Sequence, residues 1–375
     1  MTEVKKTFAL NVLRGLAALY VVIGHCRWLL WEGYTNGFKL HPEIYSMIDK
    51  IFVYGFSLFA YGHEAVMLFF VLSGFVIHYS TYNQSLKAVR FNVLSYLGKR
   101  IKRIYPPFLV ALLVTWVLDR IGMNLGYAIY SQQTQFSVIN QSIHADHSLL
   151  TLLGNFSMLQ TLYTLVWGSN GPLWSLMYEW WFYILYIPVF FINKKQSFVS
   201  AFLIGLMFIV SLYIPRETYK WITVFNFFFA WYLGVIAADI YLGRLAGNRL
   251  RIQLGIFIVA VFAIATYKMG SAYMRDYYVA FGFVILLYLS LNYYIKLKVF
   301  KSLEWISDFS YTLYVIHLPI VVLMSGWLQR KYNGALPIHF GYVFLAIGIS
   351  LVSSWALHLL VEKPFVKTVK SGQMN

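Results

Sequence analysis

Ten long, mostly apolar runs limit what this chain can fold into more than any other feature. They lie near residues 9–31, 63–82, 104–119, 172–192, 197–214, 219–241, 252–268, 276–293, 305–328 and 339–361. A helix needs ~20 such residues to cross the hydrocarbon core of a bilayer, where each backbone polar group must be bonded within its own segment. Transmembrane β-strands would alternate apolar and polar residues over about 10 positions. These runs are continuously apolar and too long for that. Trp and Tyr flank several of them, as side chains of the water–lipid interface do. Only 44 of the 375 residues are charged, about half the share of a soluble domain. The 73 aromatic residues exclude a disordered chain. The sequence therefore predicts an all-α integral membrane protein of about ten transmembrane helices. It reads as one domain, 1–375, with no appended soluble domain. A single cysteine, Cys26, leaves no disulfide framework and no cysteine-based metal cluster.

Ten crossings put both termini on one side. With the N-terminus inside, nineteen of the thirty Lys and Arg fall on inner segments, among them Lys99, Arg100, Lys102, Arg103, Lys194, Lys195, Arg249, Arg251, Lys296, Lys298, Lys367 and Lys370. Ten fall outside, and Arg14 lies within the first run. This bias predicts an N-in, C-in orientation. The +16 net charge is then a topology signal plus attraction to anionic lipid, and no nucleic-acid partner is expected. Lys5-Lys6 before an apolar run looks like a signal peptide, but no small-x-small cleavage site follows, so it is read as an uncleaved first span. The longest stretch between spans, 120–171, lies outside. Its apolar piece 149–167 would reverse the inner basic clusters if it crossed, so it is expected to be re-entrant or interfacial.

Ionisable groups at membrane depth are costly and mark candidate sites. Arg14 and His25 are 11 residues apart, which returns to within about 20° of one helix face with a rise of about 16 Å. They line one stripe without touching: the pair is either functional or a snorkelling Arg with a hydrogen-bonded His. Arg100 and Arg103 are i,i+3 neighbours that can share one anion or simply anchor the inner membrane face. In Gly171-Pro172-Leu-Trp174-Ser175-Leu-Met-Tyr-Glu179, Pro172 suits a first helical turn, and Ser175 and Glu179 share a face. Glu179 lies at a depth similar to His25, where a carboxylate can fix a His tautomer or pair with another donor. Ser73-Gly74 sits mid-run, as close helix packing requires. His63-Glu64 stands at the outer end of the second run. Ser310, Tyr314 and His317 share a face of the ninth run, lining a cavity or bonding between helices. His144-Ala-Asp146-His147 is a poor metal set, and no metal is expected.

Six segments occur in order: Arg14-x10-His25, Phe69-Phe70-Val-Leu-Ser73-Gly74-Phe75, Arg100-x-x-Arg103-Ile-Tyr-Pro, Trp174-Ser-Leu-x-x-Glu179, Ser310-Tyr311-Thr-Leu-Tyr314-Val-Ile-His317 and Glu362-Lys-Pro-Phe. Together, over residues 8–366, they resemble the acyltransferase family 3 membrane proteins, which O-acylate surface and secreted carbohydrates. The resemblance implies transfer of an acyl group, foremost acetyl, from cytoplasmic acyl-CoA to a hydroxyl of an extracytoplasmic glycan or lipid-linked glycan. It implies a bacterial cytoplasmic (inner) membrane and no tightly bound cofactor, with acetyl-CoA or another acyl-CoA as donor substrate. It maps the family histidine onto His25, as general base or acyl carrier, and the family arginines onto Arg14, Arg100 and Arg103, on the donor phosphates. Glu179 is the expected catalytic partner, and Ser73, Glu64, Tyr314 and His317 the acceptor-side residues. Glu64 departs from the small residue expected before the Phe-Phe-x-x-Ser-Gly-Phe run and is assigned to acceptor choice. The alternative is a transporter or flippase for an anionic or glycan substrate, but no matched pair of Gly/Pro-broken segments is found.

Overall fold

The computed structural model describes residues 3–87, 89–245, 248–292, 301 and 303–365. Lys296, Lys298, Lys367 and Lys370 lie outside the described residues. The helices in chain order are α1 (Glu3–Leu30), α2 (Met47–Ser57), α3 (Gly62–Leu86), α4 (Val93–Asn124), α5 (Ser137–Ser142), α6 (Leu149–Phe156), α7 (Trp174–Lys195), α8 (Ser197–Ser211), α9 (Ile222–Tyr241), α10 (Asn248–Met269), α11 (Ser271–Asn292), α12 (Ile306–Lys331) and α13 (Gly341–Val361). Among the described residues no strand forms, only an isolated bridge between Gln160 and Thr164. The chain is an all-α integral membrane protein.

Eight segments among the described residues are long and apolar enough to cross a bilayer: Phe8–Phe38, Gly62–Leu86, Val93–Asn124, Gly171–Lys195, Ile222–Tyr241, Met274–Leu291, Ile306–Lys331 and Gly341–Val361. The other two expected spans are helical but shorter, Ser197–Ser211 and the apolar part of α10, Gly255–Met269. The fifteen residues of α8 reach about 22 Å, against a core of roughly 30 Å. The chain approaching Pro215 is steered out of helical backbone, which stops α8, whereas α10 as a whole has 22 residues, about 33 Å. The piece 149–167 does not cross. Only Leu149–Phe156 is helical, about 12 Å, and left-handed backbone at Met158, Thr161 and Gly168 folds the rest into tight turns.

The chain divides into two compact units, one of residues 1–14, 63–98 and 178–302, the other of residues 15–62, 99–177 and 303–375. In the first, α9 packs against α8 and α11, and α10 against the same two helices. Gly74 of α3 and Gly234 of α9 let two backbones meet. A methyl on Gly74 would overlap the Trp231 carbonyl oxygen, and one on Gly234 would overlap that of Val71. Lipid tails are as apolar as side chains, so such close backbone approach supplies the van der Waals contact that holds membrane helices together. The aromatic rings of Phe182, Tyr186, Phe228 and Trp231 fill the space beside this crossing.

In the second unit α12 packs along α13. Ser325 Oγ donates to the Leu29 carbonyl (2.6 Å) and Trp31 Nε1 to that of Ile338 (2.5 Å), tying down the C-terminal end of α1. The 11-residue α2 is capped by Ser46 and Asp49. It lays Phe52 on Phe340 (3.7 Å between ring centroids) and Phe56 against Phe344, while Met47, Ile48, Ile51 and Tyr54 stay exposed. A search for runs of spanning length passes over a helix this short.

Candidate functional site

In the second unit His25 and His317 meet. α1 runs unbroken past Arg14 to Leu30 and presents His25, whose Nδ1 lies 2.9 Å from His317 Nε2 on α12. The rings stack with centroids 5.1 Å apart. His317 is fully buried and its Nδ1 lies 3.0 Å from the Leu313 carbonyl. His25 is half-buried, and its Nε2 makes no hydrogen bond among the described residues. One turn before His317, the Tyr314 hydroxyl lies 2.8 Å from Ser175 Oγ and donates to the Pro172 carbonyl at 3.1 Å.

A proline shapes this part of α12. Pro319 has no N–H, so the Val315 carbonyl four residues earlier loses its helical bond. Asn170 supplies the missing donor: its Nδ2 donates to Val315 O (2.8 Å) and to Thr115 Oγ1 (2.9 Å). The segment before α7 is thereby fastened to the turn of α12 that carries Tyr314 and His317. Asp119, buried on α4, holds the preceding residue, accepting from Ser169 N (2.8 Å) and Ser169 Oγ (2.6 Å), and pairs with His147 Nε2 (3.1 Å).

Arg100 and Arg103 follow each other on α4 in the same unit, and both are half-buried. Arg103 has no ion pair among the described residues. A half-buried guanidinium with no carboxylate suits the oxygens of a phosphate.

The first unit holds the other candidates. Glu179 Oε1 accepts from Ser73 Oγ at 3.1 Å and from the Tyr183 hydroxyl, while Oε2 makes no hydrogen bond among the described residues. The Ser-Gly pair thus does two jobs: Gly74 admits α9, and Ser73 holds Glu179. Glu64 is buried at the start of α3 and forms an ion pair with Arg275 Nε at 2.6 Å, next to the 3.0 Å pair of His63 with Asp276. The glutamate assigned to acceptor choice is engaged in tying α3 to α11. Arg14 is half-buried in this unit. So Ser73 and Glu179 come together, His25 and His317 come together, and Tyr314 joins Ser175.

The residues of His144-Ala-Asp146-His147 go three separate ways. His144 contacts Gln132 and the Gln141 carbonyl, Asp146 accepts from Ser148 and Thr151 at the start of α6, and His147 pairs with Asp119. Among the described residues no three His, Cys, Asp or Glu side chains form a metal-binding group.

Sequence reading passed over two buried clusters. His78 of α3 joins Tyr186 (2.8 Å) and Asp239 of α9 (2.9 Å), and Asp239 also accepts from Asn193 (2.8 Å) and Arg244 (2.6 Å). The rule that singled out His25, an ionisable side chain inside an apolar run, applies equally to His78 and Asp239. Asn170 carries a weaker signal, a capping residue before Gly-Pro, and its partner carbonyl is foretold by Pro319.

A family model of the acyltransferase 3 domain matches residues 8–359. No curated protein and no solved structure matches the chain. The match takes in all but the last of the six motifs and runs over nearly the whole chain: this is a membrane acyltransferase, and it belongs to acyltransferase family 3.

Proposed function

We propose that the enzyme moves an acyl group, most simply acetyl, from acyl-CoA at the cytoplasmic face to a hydroxyl of an extracytoplasmic glycan, with His25 as general base. The observation that carries this reading is the histidine pair: a half-buried imidazole on α1, held through Nδ1 by a buried partner, with Nε2 unengaged. Imidazole suits removal of a hydroxyl proton near neutral pH. The acceptor oxygen attacks the thioester carbonyl carbon and its proton passes to His25 Nε2. The C–S bond then breaks, and the same proton is returned to the departing sulfur, giving the acyl ester and CoA thiol. Arg100 and Arg103 are assigned to the anionic nucleotide end of the donor, and Tyr314 to the acceptor side. The N-in, C-in orientation and a bacterial cytoplasmic membrane belong to the same reading.

The test is purified protein in detergent with labelled acetyl-CoA and a bacterial surface glycan, following thiol release and label in the glycan. Label should enter the glycan, and His25→Ala should lower the rate ~10²–10⁴-fold, the usual share of a general base, while donor binding persists. A folded His25→Ala variant within a few-fold of the unaltered enzyme would refute the assignment. Label trapped on the protein without acceptor, and lost in His25→Ala, would make His25 an acyl carrier instead.

A further inference from the structure

We infer that His317 is a positioning residue whose hydrogen bonds select the tautomer of His25 and leave the lone pair on His25 Nε2. This rests on the reading of His25 as the base. The chain of bonds starts from a group with no proton to give. The Leu313 carbonyl only accepts, so His317 Nδ1 carries the hydrogen in their 3.0 Å contact. A neutral imidazole has one N–H and one acceptor nitrogen, so His317 Nε2 is left as an acceptor. Nε2 faces His25 Nδ1 at 2.9 Å, and His25 Nδ1 must then be the donor. The one lone pair remaining in the neutral pair sits on His25 Nε2, the nitrogen with no hydrogen bond among the described residues. When Nε2 takes up a proton, the Nδ1–H bond to His317 persists, so the cation formed is already hydrogen-bonded.

The relay depends on where His317 stands, and three observations fix it. Its ring is fully buried. The Tyr314 ring lies 6.2 Å from it, with its hydroxyl held by Ser175 and the Pro172 carbonyl. The carbonyl that Pro319 releases is taken by Asn170. A role in holding the acceptor, the sequence expectation for His317, is a poor use of a side chain with no exposed surface and both nitrogens engaged.

The experiment is nitrogen NMR of the full-length protein labelled with ¹⁵N-histidine, with His25 signals assigned by their loss in His25→Gln. In the unaltered protein at neutral pH, His25 should show a protonated Nδ1 and an unprotonated Nε2. His317→Leu removes the acceptor, and the Nδ1–H form should lose its dominance. His317→Gln places a carboxamide oxygen near the position of Nε2 and should restore it. Acyl transfer should follow: a loss of ~10²-fold or more for His317→Leu, recovery to within about tenfold for His317→Gln, and little change in the KM for acyl-CoA in either. A proton on His25 Nε2 in the unaltered protein overturns the inference even if His317→Leu does not fold. So does an unchanged His25 tautomer in folded His317→Leu. Failure of the base assignment itself reads differently: His25→Gln would retain transfer whatever the tautomer.

Discussion

Gly74→Ala tests whether the α3–α9 crossing is set by two backbones in contact. The added Cβ would overlap the Trp231 carbonyl oxygen and lie 3.1 Å from its carbonyl carbon. Across the same contact, a Cβ on Gly234 would stand 2.8 Å from Phe75 N and closer still to Val71 O. Non-bonded carbons settle roughly 3.5–4.0 Å apart, so α3 and α9 must part by about 1 Å for a methyl to enter. Overpacking of this kind costs typically ~1–3 kcal/mol, partly offset by up to ~1 kcal/mol of helix propensity gained in replacing Gly by Ala. Gly348 supplies the control: it lies in α13, and a Cβ there meets nothing within 4 Å, so Gly348→Ala should be neutral or stabilising. Thermal unfolding in one detergent should rank Gly348→Ala at or above the unaltered protein and Gly74→Ala below it. Activity should fall as well, because displacing α3 moves Ser73 from Glu179. If Gly74→Ala unfolds no earlier than the control, the contact between backbones does not hold these helices.

Asn170→Ala should lower thermal stability by the cost of one unsatisfied buried carbonyl, about 1–3 kcal/mol, because no helical N–H can replace the lost donor to Val315; an unchanged melting temperature would refute this. Arg103→Ala should weaken acyl-CoA binding roughly 10- to 100-fold, the worth of a charge-assisted contact, and titration calorimetry that finds the affinity unchanged would reduce Arg103 to a topology anchor. The Thr151 hydroxyl and then the Ser148 N–H hold the Asp146 carboxyl below its ordinary value of 3.8. The stabilisation this gives is present above that value and lost as pH falls through the lower folded-state one, so Asp146→Asn should be the less stable protein at pH 7 and its deficit should vanish in acid; a deficit constant with pH would remove the charge from the explanation. With Cys26 replaced, single cysteines at positions 100 and 195 should react with impermeant reagent only from the cytoplasmic side and those at 40 and 140 only from outside, and reaction of 195 from outside would reverse the orientation of half the chain.

Most helices were legible because bilayer thickness imposes a length that can be counted in residues. The count says less where a helix is short. Ser197–Ser211 is as apolar as a span and shorter than the others, and α2 is apolar both where it packs on Phe340 and Phe344 and where it is exposed, but has only 11 residues. The site residues were legible for a different reason: charge inside an apolar run is conspicuous. His25, Glu179 and Arg14 stood out for that alone. What spacing could not show was partnership. Spacing predicts a similar depth for His25 and Glu179, yet His25 engages His317, which follows 292 residues later, and Glu179 engages Ser73 and Tyr183. Such pairings depend on which helices are neighbours, and apolar runs of similar composition do not encode that order.

The buried Asp119, His147 and Ser169 have the composition of a hydrolase triad, and their connectivity argues against that use. In a working triad the histidine stands between the other two, taking the serine proton while the carboxylate orients it. Here the carboxylate stands in the middle: Ser169 Oγ donates to Asp119 Oδ1 at 2.6 Å and His147 Nε2 pairs with Oδ2 at 3.1 Å. Ser169 can pass its proton only to a carboxylate that already accepts the Ser169 N–H. The arrangement is a lash. Thr115 and Asp119 are i,i+4 on α4 and present one polar edge, which takes Asn170 and Ser169 in succession. With two consecutive residues fixed on α4, the Asn170 amide is delivered to the carbonyl that Pro319 exposes on α12. Two residues further on, the Pro172 carbonyl reaches the Tyr314 hydroxyl. A buried charge on α4 thus helps fix the turn of α12 from which His317 meets His25.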